Sequence, residues 1–179
     1  MSTPASTLSL HDAAKPLLDF YQRGGVAPPE LLPIDGADMP EPFRKLLVHA
    51  DDMTPTLEHF HGSRIHLRMV NREVPEAAYA REVILEAGEG NQPVEFGAIA
   101  IHLEQFPEAA RELILGESVP LGTILADHTI LHQSCPQAYF RVNSDPLITE
   151  ALGLPDSTEL YGRCNIHRNL NGNHLAEIV

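Results

Sequence analysis

At residue 64 the apolar residues of this chain change their spacing, and from there on they are written mostly for strands. In Arg64-Ile65-His66-Leu67-Arg68-Met69-Val70 apolar and basic residues alternate, the pattern of a half-buried strand. Tyr79 to Ala87 reads as the next strand, and Gly88-Glu89-Gly90-Asn91 as the turn after it. Val94 to Leu103 is nearly all apolar on both faces, which predicts a central strand. His128 to Val142 reads as a long strand interrupted at Cys135-Pro136, where a proline that donates nothing to a ladder demands a bulge or an edge. Glu159–Leu170 and Asn173–Val179 are joined by Asn171-Gly172, the strongest hairpin signal in the chain, and a type I′ turn is expected.

The helical signals are short and punctuated. Leu10 to Tyr21 places Leu17, Leu18 and Tyr21 at helical spacing and meets Gly24-Gly25. Val26 to Pro40 is rich in proline and is expected to be irregular. Glu41–His49 predicts one short helix. A second follows Asp51-Asp52-Met53-Thr54-Pro55, with Thr54 as N-cap, and ends at Gly62. Pro107–Leu115 predicts a helix, and Pro120–Leu125 a turn or helical piece. A further helix is expected between a Ser144 or Asp145 cap and Gly153. Residues 1–9 read as a frayed tail. The fold class is therefore α+β, with a single, mostly antiparallel sheet flanked by short helices. Residues 1–50 form a tail and an irregular lead-in, and 51–179 the sheet-bearing domain, in one compact unit.

Charge narrows the partners. With 25 acids against 12 bases the net charge is -13, the wrong sign for nucleic acid or an anionic membrane surface. The N-terminus has no basic stretch followed by a long apolar run, so neither a signal peptide nor a membrane span is expected, and the cytoplasm is the expected location. Cys135 and Cys164 have no CxxC spacing and read as reduced core or strand residues.

Two unlike charges sit in the strand-like runs: Arg81 within Tyr79–Leu85 and Glu177 within His174–Val179. Both are expected to point inward, where an ionised group needs a partner or a ligand. The reading is either a small anionic substrate held by the arginine with a carboxylate opposite, or a structural salt bridge. The ten histidines show no HExxH and no zinc-ligand spacing. His128 and His132, read as strand, lie about 13 Å apart by rise alone. No metal is expected. No GxGxxG, P-loop or GxSxG pattern is present, so nucleotide binding is not expected.

Four segments in order resemble the chorismate lyase (chorismate–pyruvate lyase) family. They are Asp52-Met53-Thr54 with Leu57-Glu58 and Gly62; Arg81-Glu82-Val83-Ile84-Leu85; Pro120-Leu121-Gly122 after Glu112-Leu113; and Tyr161-Gly162-Arg163 followed by Asn171-Gly172 and Glu177. The resemblance implies an antiparallel sheet, a buried pocket beneath mobile flaps, and neither metal nor organic cofactor. It implies that Arg81 and Glu177 bind an aromatic product, with Met53 as an apolar wall and the backbone at Leu121 or Gly122 near a carboxylate. The ligand so implied is a small anionic aromatic or cyclohexadiene carboxylate, and the reaction is loss of pyruvate from chorismate to give 4-hydroxybenzoate. The same fold serves ligand-sensing domains of some bacterial transcription regulators, so a non-catalytic binding module is the alternative. Arg68, sharing a strand face with Arg64 and His66, reads either as solvated or as an anchor for a second carboxylate. His102 or His132 is a further candidate for the pocket wall.

Overall fold

The computed structural model describes residues 8–74, 78–155 and 157–179. Most of the tail expected over residues 1–9 lies outside the described residues. Seven strands form one antiparallel sheet: β1 (Leu32–Pro33), β2 (Ile65–Glu73), β3 (Tyr79–Ala87), β4 (Gln92–Ile101), β5 (His132–Asn143), β6 (Glu159–Asn169) and β7 (His174–Ile178). Their order is β1-β5-β6-β7-β4-β3-β2. The apolar run from Val94 thus lies inside the sheet, as its composition predicts, but the strand ends at Ile101 and Leu103 begins a 3-10 turn. The expected bulge falls between Pro136 and Ala138 in β5, where the proline needs no partner for a missing N–H.

Short helices cover both faces. On one lie α1 (Leu10–Ala13), α2 (Lys15–Arg23) and α7 (Pro146–Leu152). Leu17, Phe20 and Tyr21 of α2 pack on Ala80 and Ala98. On the other lie α3 (Phe43–Leu47), α4 (Met53–His61), α5 (Glu108–Leu115) and α6 (Leu121–Asp127). Here Ala110, Ile114, Ile124 and Leu125 pack on Tyr79, Ile99 and Ile101, and Leu57 packs on Ile65 and Leu85. With a layer on each side, every residue of β3 is buried.

Local chemistry explains the helix ends. Asp145 caps α7 by accepting from the Ile148 N–H, and Gly153 stops it at φ 64°. Gly62 stops α4 at φ 62°, but the cap of α4 is Asp52 rather than Thr54. The predicted first helix is two, α1 and α2, meeting at Ala14. The strand expected from His128 begins only at His132, because His128 closes α6 and Thr129 turns the chain at φ 51°. The Asn171-Gly172 hairpin forms, but it is not type I′. Only Gly172 (φ 83°) is left-handed, and the Asn169 side chain instead accepts from the N–H groups of Asn171 and Asn173.

Candidate functional site

The sheet is incompletely knitted at its centre, and that is where the cavity lies. β7 pairs with β4 over Ile99–Ile101 and with β6 over Asn165–Arg168. Toward residues 94–97 of β4 and 160–163 of β6, no strand of the described residues joins the two. A cavity of about 240 Å³ is lined by these stretches, by Met53, Thr54 and Leu57 of α4, and by Leu121 and Gly122 of α6. Its walls are mostly apolar, and a few polar side chains converge on it: Arg81, Glu95, Arg163, Asn165, His167 and Asp52. An apolar cleft with a few placed polar groups is the usual form of a small-molecule site.

Arg81 is the best-defined of these. It is 1% exposed, on the β3 face that carries Val83 and Leu85. Its terminal nitrogens donate long bonds of 3.4 Å to the carbonyls of Ile114 and Val119, and its Nε–H has no partner among the described residues. Among the described residues no carboxylate stands within ion-pair distance of it. Desolvation pushes its pKa down, with Tyr79 and Glu117 opposing from farther off. A guanidinium buried this way lacks the counter-charge that burial ordinarily requires.

Arg163, at 6% exposure, is the second buried guanidinium. It donates to the carbonyls of Leu47, His49 and Asp51, fastening the segment before α4 to β6. Glu95 lines the same cavity; desolvation pushes its carboxyl up to about 7, and Arg163 pulls the other way.

At the entry of α4, Asp52 meets two imidazoles. Both of its oxygens are 3.0 Å from His132 Nε2, and Oδ1 is 3.4 Å from His167 Nε2. Burial works against the Asp52 carboxylate, but the His132 hydrogen bond and nearby His167 and Arg163 outweigh it and hold its pKa below the usual range. The same hydrogen bond raises His132. His167 is 4% exposed, and desolvation lowers it to about 4.

The structure brings together Arg81, Met53, Leu121 and Gly122, four of the residues singled out from the sequence. It does not bring Glu177, His102 or Arg68 to them. Glu177 pairs across the sheet with Ala100, and Ala100 with Ala80, so its side chain falls on the face opposite Arg81. There it accepts from His102 (3.0 Å) and His174 (2.5 Å). Neither the substrate-opposing carboxylate nor the structural Arg81–Glu177 salt bridge forms. Arg68 is half exposed and pairs with Glu86 at 2.5 Å, again away from the cavity. Gly122 has a packing role as well: a Cβ there would stand 2.7 Å from Thr54 Oγ1, so its absence lets α6 touch α4. His128 and His132 do not share a strand face, since His128 caps α6.

The polar stripe of β6 went unread in the sequence. Arg163, Asn165 and His167 follow at every second position, and each is buried. Period-two polarity on a strand otherwise apolar was the available signal.

No family model matches the chain, and no curated protein matches its sequence. No helix among the described residues is long and apolar enough to cross a membrane. Among solved structures, the crystal structure of PhnF from Mycobacterium smegmatis is similar, at 10% identity and a TM-score of 0.56 over 92% of each chain. At that identity the likeness concerns architecture and not chemistry. The chain has a chorismate lyase-like fold.

Proposed function

We propose that the cavity binds a small cyclic carboxylate, and that the reaction it serves is the loss of pyruvate from chorismate to give 4-hydroxybenzoate. The observation that carries this reading is Arg81: a buried cation without a carboxylate partner, in the wall of a small apolar cavity. A ligand carboxylate supplies the missing counter-charge through the guanidinium fork. Met53 and Leu121 offer the apolar surface a ring needs.

In this reaction the ether C–O bond of the enolpyruvyl group breaks. The neighbouring ring carbon loses its proton, and the ring becomes aromatic. The departing three-carbon unit takes a proton on its methylene and leaves as pyruvate. Chorismate carries two carboxylates, and the cavity holds two buried guanidiniums, Arg81 and Arg163. The proton needs an acceptor and a donor, and Glu95, with a pKa pushed up to about 7, is tuned for that exchange near neutral pH. The resemblance gives the opposing carboxylate to Glu177; this reading gives it to Glu95.

The displacement of Glu177 also favours a second reading, a non-catalytic module that binds an aromatic carboxylate. One experiment separates the two. Purified protein is incubated with chorismate, and pyruvate and 4-hydroxybenzoate are followed by chromatography, beside Arg81→Ala, Glu95→Gln and Glu177→Ala. The lyase reading expects equimolar products, lost in Arg81→Ala, slowed at least tenfold in Glu95→Gln and retained in Glu177→Ala. If folded protein gives no product but binds 4-hydroxybenzoate in an Arg81-dependent way, the binding module stands and the lyase falls.

A further inference from the structure

We propose that Asp52, His132 and His167 form a binding site for one divalent transition-metal ion in the wall of the cavity. The inference departs from the metal-free expectation carried by the family resemblance. It rests on three elements meeting at one point: the cap of α4, the first residue of β5 and the buried face of β6. The three side chains present ligand atoms that all lie within 4.8 Å of one another.

The geometry fits an ion as well as it fits hydrogen bonds. Ligands at about 2.1 Å from a metal stand about 3.0 Å apart at a right angle and about 3.4 Å apart at a tetrahedral one. The Asp52 oxygens are 3.0 Å from His132 Nε2, and Oδ1 is 3.4 Å from His167 Nε2.

The second ring nitrogen of His132 is placed as that of a metal-ligating histidine is. His132 Nδ1 is 2.9 Å from the Ile130 carbonyl, so it carries the proton there. With Nδ1 so held, Nε2 is the ring nitrogen that faces the Asp52 carboxylate, and a bound ion takes the place of its hydrogen bond there. A ring N–H held by a backbone carbonyl, with the other nitrogen free, is how proteins orient a metal-ligating histidine. His167 is buried, faces the same carboxylate oxygen through Nε2, and has no partner at Nδ1 among the described residues.

Two imidazoles and one carboxylate suit zinc or iron(II) and leave positions open for other ligands. Asp52 and His167 line the cavity, so an open position faces its contents. The neighbouring Arg163 opposes a cation, but its N–H groups are turned to the carbonyls of Leu47, His49 and Asp51. On the opposite face His102, His174 and Glu177 form a second, more exposed group of the same composition, which the test must separate.

The test is titration of chelator-treated full-length protein with Co²⁺, read by visible absorption and calorimetry at pH 7.5. Asp52→Asn, His167→Gln, His174→Ala and Arg81→Ala are titrated in parallel. The expected result is one equivalent bound with d–d bands, weakened at least a hundredfold by Asp52→Asn and by His167→Gln. It is unchanged in His174→Ala and in Arg81→Ala. Should His167→Gln fail to fold, Asp52→Asn alone decides, because it preserves shape and removes only charge. Binding lost in His174→Ala instead, or no saturable binding, overturns the proposal and leaves Asp52 and His132 as a hydrogen-bonded ion pair. Because Arg81→Ala retains the metal here while abolishing carboxylate binding, failure of one reading does not mimic failure of the other.

Discussion

Arg81 and Glu95 are both charged groups that the fold has partly stripped of water, and each makes a measurable demand. Arg81 has two long carbonyl contacts and no counter-ion among the described residues. Replacing it by methionine removes the charge and keeps most of the volume. We expect Arg81→Met to leave the ligand-free protein at least as stable, with a gain of up to about 4 kcal/mol, the upper end seen when buried ion pairs yield to apolar groups, while abolishing carboxylate binding. Chemical denaturation with and without 4-hydroxybenzoate measures both; a large loss of stability would mean that the arginine is structural. Glu95 gives a pH signature. Its folded pKa is raised from 4.5 to about 7, so the folded state holds the proton more tightly than the unfolded chain. The stability this contributes is complete below pH 4.5 and is lost as pH rises through 7. Glu82, raised to about 6 by desolvation and then by Asp145, acts in the same direction. His167, lowered to about 4, acts oppositely, and its contribution fades as pH falls from 6.5 toward 4. Glu95→Gln is expected to remove up to about 3 kcal/mol of the decline between pH 5 and 8, measured by urea midpoints across that window.

At the scale of elements, the contact of α4 with α6 shapes one wall of the cavity. It depends on Gly122, where a Cβ would sit 2.7 Å from Thr54 Oγ1 and 2.9 Å from its Cβ. Gly122→Ala is expected to cost about 1–3 kcal/mol by overpacking and to weaken ligand binding, since α4 carries Met53 and Leu57. Thermal denaturation and ligand titration of the variant check both; an unchanged affinity would mean that α4 moves without disturbing the cavity. The strands were more legible than these contacts. β3 runs Tyr79–Ala87 as its apolar pattern predicts, and the capped helix α7 follows its Asp145 and Gly153 signals. Elements were misread where a residue took an uncommon conformation: Thr129 at φ 51° delays β5, and Asn171 without a positive φ rules out the type I′ turn. Arg81 was legible as an inward charge, in a strand whose neighbours Val83, Ile84 and Leu85 are apolar. The site was illegible at Glu177, because which face a strand residue takes depends on pairing with β4, some eighty positions away. The stripe of Arg163, Asn165 and His167 resembles a solvated face until α3 and the start of α4 are seen to cover it.

Over the whole molecule, a net charge of -13 surrounds a cavity walled by the buried Arg81, the cation to which the proposed function assigns an anion. The two signs act at different ranges. The surface field reaches a ligand from outside and is screened by salt, with a Debye length of about 30 Å at 0.01 M and about 10 Å at 0.1 M. Arg81 acts only at contact, inside protein, where mobile ions do not screen it. The proposed anionic ligand is therefore expected to be repelled on approach and held on arrival. Raising the ionic strength from about 0.01 to about 0.2 M should speed association several-fold and leave dissociation nearly unchanged, so affinity improves with salt. A site built from surface lysines or arginines behaves in the opposite way, losing affinity as its cations are screened. Stopped-flow binding of 4-hydroxybenzoate across that salt range distinguishes the two. Affinity that falls with salt would place the anion on the exposed basic groups, Arg64 or Arg68 among them, and not on Arg81.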